Sequence, residues 1–292
     1  MGYSASPRPC FDGPAPIPYA SVTRHVWGDR ISGEVADWIY VSSRKIHQLV
    51  FALPTGGSFK HSAEYRTVFA ADEVLYVLEG TMVIANPETG EVHRVSTGEA
   101  AFFRRDTWHH AFAHGGEPLR VLELFAPPPS AGTSGAYART KPLLTDARYS
   151  QEELLERWPE AQAEALRDHT IRVLRDKDVL WRLEGHERQI LVGILASTEH
   201  LTVGKLLLSP GETTDIESHG GDESLYVLAG TVHVRLSGHD GQGWHELGAG
   251  DGFYLPEGTP HQYSNVSGRP VELVFGVAPT YGGGRPDMRE VP

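Results

Sequence analysis

The chain has 292 residues, 40% hydrophobic and 22% charged, enough to bury a real core and to form two domains of ordinary size. A net charge of −12 with no basic run argues against nucleic-acid partners and anionic membrane surfaces. Cys10 is the single cysteine, which rules out an intrachain disulfide or a thiolate zinc site and suits a reducing cytoplasm. The N-terminus, M-G-Y-S-A-S-P-R-P-C, lacks the apolar core of a secretion signal, and no apolar run approaches the ~18 residues of a membrane span.

In chain order, residues 1–35 form an N-terminal arm, rich in proline and polar residues over its first part (P-R-P-C-F-D-G-P-A-P-I-P). From 36 to 126 short apolar runs such as H-Q-L-V-F-A-L, E-V-L-Y-V-L and L-R-V-L-E-L-F-A recur roughly every 8–12 residues, the spacing of an antiparallel barrel or sandwich. N-P-E-T-G (Asn86 to Gly90) supplies a hairpin turn with glycine at the left-handed position. Residues 127–170 read as a linker (P-P-P-S-A-G-T-S-G) and a helical connector. A Ser150/Glu153 capping box opens the helix, Leu155, Trp158, Ala165 and Leu166 share a face, and Pro159 splits it. The β pattern returns over 171–278, and 279–292 is a draped or disordered tail.

Two landmarks repeat. E-V-L-Y-V-L-E-G (Glu73 to Gly80) returns 150 residues later as E-S-L-Y-V-L-A-G (Glu223 to Gly230). G-E-A-A-F-F-R-R-D-T-W-H (Gly98 to His109) returns 152 residues later as G-D-G-F-Y-L-P-E-G-T-P-H (Gly250 to His261). One fold unit therefore occurs twice. The fold class expected is all-β, two tandem antiparallel β-barrels joined by a short helical connector.

In the second unit, Glu217 and His219 stand at i, i+2 and share one face of an extended segment. Glu223 opens the next strand and His261 comes from a later one. Four such groups from separate strands converge only inside a barrel, where a metal is held away from bulk water. Imidazole nitrogen with carboxylate oxygen suits Fe(II), Mn(II), Zn(II) or Ni(II). A six-coordinate ion would keep two positions open for substrate or water.

These residues resemble the two motifs of the cupin superfamily, G-x5-H-x-H-x3-E-x6-G and G-x5-P-x-G-x2-H-x3-N. Gly211, Glu217, His219, Glu223 and Gly230 match the first, with glutamate where the family usually has histidine. Gly250, Pro256, Gly258, His261 and Asn265 fill the second. Because both halves carry the pattern, the chain resembles a bicupin of jelly-roll (double-stranded β-helix) barrels. The resemblance implies one divalent transition metal, Fe2+ or Mn2+ first and Zn2+ or Ni2+ next, on Glu217, His219, Glu223 and His261. Glu-x-His with a ligand four residues on also resembles the site of the (S)-ureidoglycine aminohydrolases, manganese bicupins that have His and Gln at the positions of Glu223 and His261.

The same spacing in the first unit gives Thr67, Phe69, Glu73 and His109, and phenylalanine cannot ligate, so this barrel reads as metal-free. His61, His110 and His114 are the residues that could rebuild a site with Glu73 and His109, but they read first as exposed or core histidines. Arg104, Arg105 and Trp108 are candidates for binding a ligand or the partner barrel at its mouth. In the second unit, alternation places Tyr263 and Asn265 on the face of His261, with Lys205, His233, Arg235 and Tyr254 on neighbouring strands. Glu217 and Tyr263 are the catalytic candidates.

The leading expectation is an Fe/Mn-dependent (di)oxygenase acting on a small polar metabolite. A non-redox isomerase, lyase or hydrolase with Glu217 as base is the alternative, and a non-catalytic small-molecule-binding cupin the third reading. Beyond the small-molecule substrate, two arrangements are open: a homodimer, or a monomer whose two repeats pair with each other as a dimer would.

Overall fold

A computed structural model describes residues 6–128, 144, 147–149, 169–238 and 243–282. The helix expected from Ser150 to Arg167 lies outside the described residues. Everything described is strand, turn and two single 3-10 turns. No helix among the described residues is long and apolar enough to cross a membrane.

The strands in chain order are β1 (Ala15–Ile17), β2 (Thr23–Asp29), β3 (Gly33–Ser42), β4 (His47–Leu53), β5 (Ser58–Phe59), β6 (Asp72–Glu79) and β7 (Thr81–Asn86). They continue as β8 (Glu91–Ser96), β9 (Ala100–Phe103), β10 (His110–Ala113), β11 (Leu119–Ala126), β12 (Ile171–Leu174), β13 (Leu180–Glu184) and β14 (Ile190–Ser197). The last are β15 (Thr202–Leu208), β16 (Asp222–Ala229), β17 (Thr231–Leu236), β18 (Trp244–Gly248), β19 (Gly252–Leu255), β20 (His261–Ser264) and β21 (Val271–Ala278).

Two compact units form. Unit 1 comprises 24–38 and 49–177 with the extreme N-terminus; unit 2 comprises 8–23, 39–48 and 178–292. In unit 1 a seven-stranded sheet, β12-β9-β6-β11-β4-β3-β2, faces a four-stranded one, β5-β10-β7-β8. Unit 2 repeats the plan with β1-β19-β16-β21-β15-β14-β13 and β18-β17-β20. Every pairing of unit 2, and those among β5 to β12 in unit 1, is antiparallel, and β6 meets β9 in the same register as β16 meets β19. These boundaries differ from those read from the sequence. The arm read over 1–35 contains β1 and β2, β12 belongs to unit 1, and the tip of the β3–β4 hairpin belongs to unit 2. A-P-I forms a strand despite its proline because β1 lies at a sheet edge, where a missing N–H costs nothing.

The repeat landmarks have physical causes. Gly80 and Gly230 both take φ +81°, and a Cβ would stand 2.4 Å from Pro118 O in one and 2.5 Å from Pro270 O in the other. Only glycine allows that turn and that approach. The turn at Gly258 (φ +74°) recurs at Asp106 (φ +67°), so losing the glycine did not lose the turn; Asp tolerates the left-handed region better than most residues. E-V-L-Y-V-L and E-S-L-Y-V-L are unbroken apolar runs because Val74 to Val77 and Leu225 to Val227 are buried on both sheet faces.

Glu91 pins the entry to β12. Its carboxylate accepts hydrogen bonds from the Thr170 and Ile171 backbone N–H groups at 3.0 Å and from His93 Nε2 at 3.0 Å. Burial pushes this acid up, but the donors of His93, Thr170 and Ile171 outweigh it and hold it at about 2. A depressed folded-state value stabilises above the ordinary 4.5 and is lost as pH falls towards 2. Glu91→Gln is expected to cost about 1–3 kcal/mol at pH 7 and almost nothing near pH 2, checked by urea unfolding at both. A pH-independent difference between the two proteins would contradict the assignment.

Candidate metal centre

The interior of unit 2 is packed by Leu225, Val227, Phe253, Leu273 and Phe275, and the candidate ligands sit at one end of this core. Glu217 is placed by a bridge to His261: each backbone N–H donates to the other's carbonyl at 2.9 Å. His219 follows two residues on, Glu223 is the second residue of β16, and His261 begins β20. Ligand atoms of Glu217, His219 and His261 all lie within 4.8 Å of one another. Glu223 Oε2 lies 3.4 Å from His219 Nε2 and 3.2 Å from His261 Nε2. All four expected side chains therefore converge.

Both imidazoles are locked. His219 Nδ1 donates to Tyr281 O at 2.8 Å and His261 Nδ1 to Thr259 O at 2.9 Å. A carbonyl only accepts, so Nδ1 carries the hydrogen and the Nε2 lone pair is available towards the centre. Glu223 Oε1 accepts from the Tyr263 hydroxyl at 2.8 Å. Its Oε2 and His261 Nε2, close but off line for a hydrogen bond, are buried without a hydrogen-bond partner. Buried orphan acceptors facing each other are what a coordinated cation would satisfy. Burial pushes Glu217 up to about 7 against the pull of His261 and His219. Burial also acts upward on Glu223, but His261, His219 and the Tyr263 hydroxyl outweigh it and lower the group.

The other candidates scatter. Asn265 ties down a turn, donating to Leu208 O and Arg269 O. Lys205 pairs with Glu272 at 2.8 Å, His233 with Glu246, and Tyr254 donates to Asp222. Arg235 is exposed. Tyr263 alone of this group reaches a proposed ligand. Sequence reasoning missed Tyr281 and Glu184: Tyr281 stacks on His219 with centroids 4.7 Å apart, and its hydroxyl donates to Glu184 Oε2 at 2.7 Å. A tyrosine ahead of G-G-G-R-P beyond the last apolar run carries no periodic signal.

In unit 1, Phe69 stands at the position of His219, stacked on Phe125 and 5.9 Å from the His109 ring. His109 Nε2 lies 3.9 Å from Glu73 Oε2. His61 Nδ1 is 2.5 Å from His110 Nε2, so these two pair with each other; His114 is exposed. Trp108 is fully buried against Val68 and Leu144 rather than at a mouth. Arg104 pairs with Asp72. A second cluster, Glu91, His93 and His169, also has ligand atoms within 4.8 Å, but the Glu91 carboxylate is already engaged by Thr170 and Ile171.

Two antiparallel barrels in one chain, with buried imidazoles and carboxylates converging in the second, define a double-barrel protein with one candidate metal centre. Residues 50–125 and 204–277 both match the cupin domain model. The chain belongs to the cupin domain family and is a bicupin. No curated protein matches it. Among solved structures, a Pseudomonas aeruginosa protein called glyoxylate-induced is similar over 95% of this chain and 96% of its own, at 17% identity and TM-score 0.65. The Escherichia coli protein Ylba covers 94% of each chain at 11% identity and TM-score 0.61. Bacillus subtilis oxalate decarboxylase, in a study of its Mn(II) centres, covers 96% of this chain and 80% of its own at 12% identity and TM-score 0.59. At these identities the likeness is one of fold.

Proposed function

We propose that the chain is a mononuclear metal-dependent enzyme acting on a small polar metabolite, with Glu217, His219, Glu223 and His261 holding Mn2+ or Fe2+ in unit 2 and no such centre in unit 1. The donor set of two imidazoles and two carboxylates supports this choice of ion over a soft or an all-oxygen one. A divalent ion there would supply a Lewis acid that polarises a substrate carbonyl or acidifies water.

The reaction favoured is non-redox, and the uneven anchoring of the four ligands carries it. His219, His261 and Glu223 are each fixed from behind by Tyr281 O, Thr259 O and the Tyr263 hydroxyl. Among the described residues no side-chain hydrogen bond holds Glu217. The one ligand free to swing is a carboxylate, suited to take a proton from substrate and return it. Tyr263 keeps Glu223 oriented. Glu184 adds a third carboxylate near Glu217, which favours neutral substrates over anionic ones; oxalate, the substrate named for one fold relative, is a poor candidate here.

The Fe/Mn-dependent dioxygenase is the second reading, supported by the same two carboxylates. They bring a divalent ion close to neutral and stabilise its higher oxidation state. Turnover of a metabolite panel with and without dioxygen separates the two; oxygen uptake matching product would replace the non-redox reading. Glu217→Gln is expected to keep the ion, by metal analysis, while lowering kcat about 100- to 10,000-fold. Loss of the ion instead would make Glu217 an obligatory ligand.

A further inference from the structure

Resting on that metal reading, we infer that the segment just beyond β21 is part of the centre, and that Tyr281 is the residue that positions His219. The segment is seated tightly: a Cβ on Gly221 would stand 2.3 Å from Ala278 O, and one on Gly220 would stand 3.4 Å from Thr280 Cβ. The approach at Gly221 leaves no room for a side chain, while a Cβ on Gly220 would be in ordinary van der Waals contact with the segment.

Tyr281 holds His219 in two independent ways. Its carbonyl takes the Nδ1 hydrogen at 2.8 Å, which fixes the tautomer. Its ring is stacked on the imidazole at 20° and, in turn, on Phe275 at 5.5 Å and 18°. The Phe275–Tyr281–His219 column ties imidazole orientation to the barrel core. At its rim the Tyr281 hydroxyl donates to Glu184 Oε2, and Arg182 Nε holds the other oxygen of Glu184 at 2.9 Å. His261 needs no such outside support, because its carbonyl acceptor, Thr259, lies two residues away in its own turn. His219 has no acceptor of that kind in its loop, and the C-terminal segment supplies one. A partner of this kind sets ligand basicity and ring angle, typically worth 10- to 100-fold in metal affinity.

The test uses the full chain loaded with Co(II) as an optical probe, with affinity from chelator competition and geometry from the d–d absorption envelope. All three variants at this position keep the backbone carbonyl, so Tyr281→Ala and Tyr281→Leu remove the ring stacks but not the acceptor. Each is expected to weaken Co(II) by about 10-fold, the lower end of the effect of an outer partner, and to change the envelope, with the far-UV circular dichroism unchanged. Tyr281→Phe keeps both stacks and should restore the wild-type envelope. Wild-type affinity and envelope in both the Ala and Leu proteins would overturn the inference while leaving the centre intact. A wild-type chain that takes up no Co(II) would overturn the metal reading itself.

Discussion

His261→Ala is expected to empty the centre of its metal while leaving unit 2 folded. The side chain is almost wholly buried, its Nε2 is an orphan acceptor 3.2 Å from Glu223 Oε2, and Thr259 O fixes its tautomer. Its strand position does not depend on the imidazole, since the bridge to Glu217 is made by the backbone. Removing an inner ligand should cost more than the 10- to 100-fold associated with an outer partner. Affinity should fall by at least about 100-fold, and metal analysis of the purified protein should drop from one equivalent to nearly none. His109→Ala, the same change at the matching position of unit 1, should leave the metal content as it was. A full equivalent retained by the first protein, or lost by the second, would move the centre out of unit 2.

Glu123→Gln is expected to stabilise unit 1 at neutral and alkaline pH. Glu73 and Glu123 share a side-chain hydrogen bond inside this barrel, with Asp37 close to Glu123, and each is nearly or fully buried. Burial raises all three, Glu123 to about 7 and Glu73 and Asp37 well above their ordinary ranges. A raised folded-state value means the native barrel keeps a proton that the unfolded chain releases. The stability from Glu123 is therefore full below 4.5 and is lost as pH rises to about 7. A shift of that size corresponds to roughly 3 kcal/mol. The Gln protein should lack this decline, so the gap between the two proteins opens from pH 5 to pH 8 in denaturant unfolding followed at unit 1. Parallel profiles would remove the protonated pair, and a destabilised Gln protein would indicate a bound cation in its place.

The duplicated fold was legible because its markers answer to local backbone demands, as at Gly80 and Gly230. The four candidate ligands were legible because i, i+2 spacing and strand order fix facing directions without any knowledge of register. Tyr263 followed from alternation along β20. Lys205, His233 and Tyr254 could not be assigned because a slip of one residue turns a side chain to the other face. The acid pair of unit 1 stayed hidden for the same reason: Glu73 and Glu123 meet only once β6 and β11 are in register, with Leu75 opposite Glu123. Tyr281 and the strand at Ala15–Ile17 owe their places to tertiary contacts. Short Pro- and Gly-containing segments carry no pattern that announces them.

The reciprocal lending of strands, β1 to unit 2 and β12 to unit 1, bears on how this chain can be taken apart. A cut at the connector would strip β12 from the first fragment and β1 from the second, leaving β9 and β19 with raw hydrogen-bonding edges. Such edges seek other strands, so separately expressed halves should be sticky and poorly behaved, whereas halves made together could complement one another. The duplicated barrels are repeats in descent but not interchangeable parts, and genetic shuffling of either alone would deliver an unfinished product.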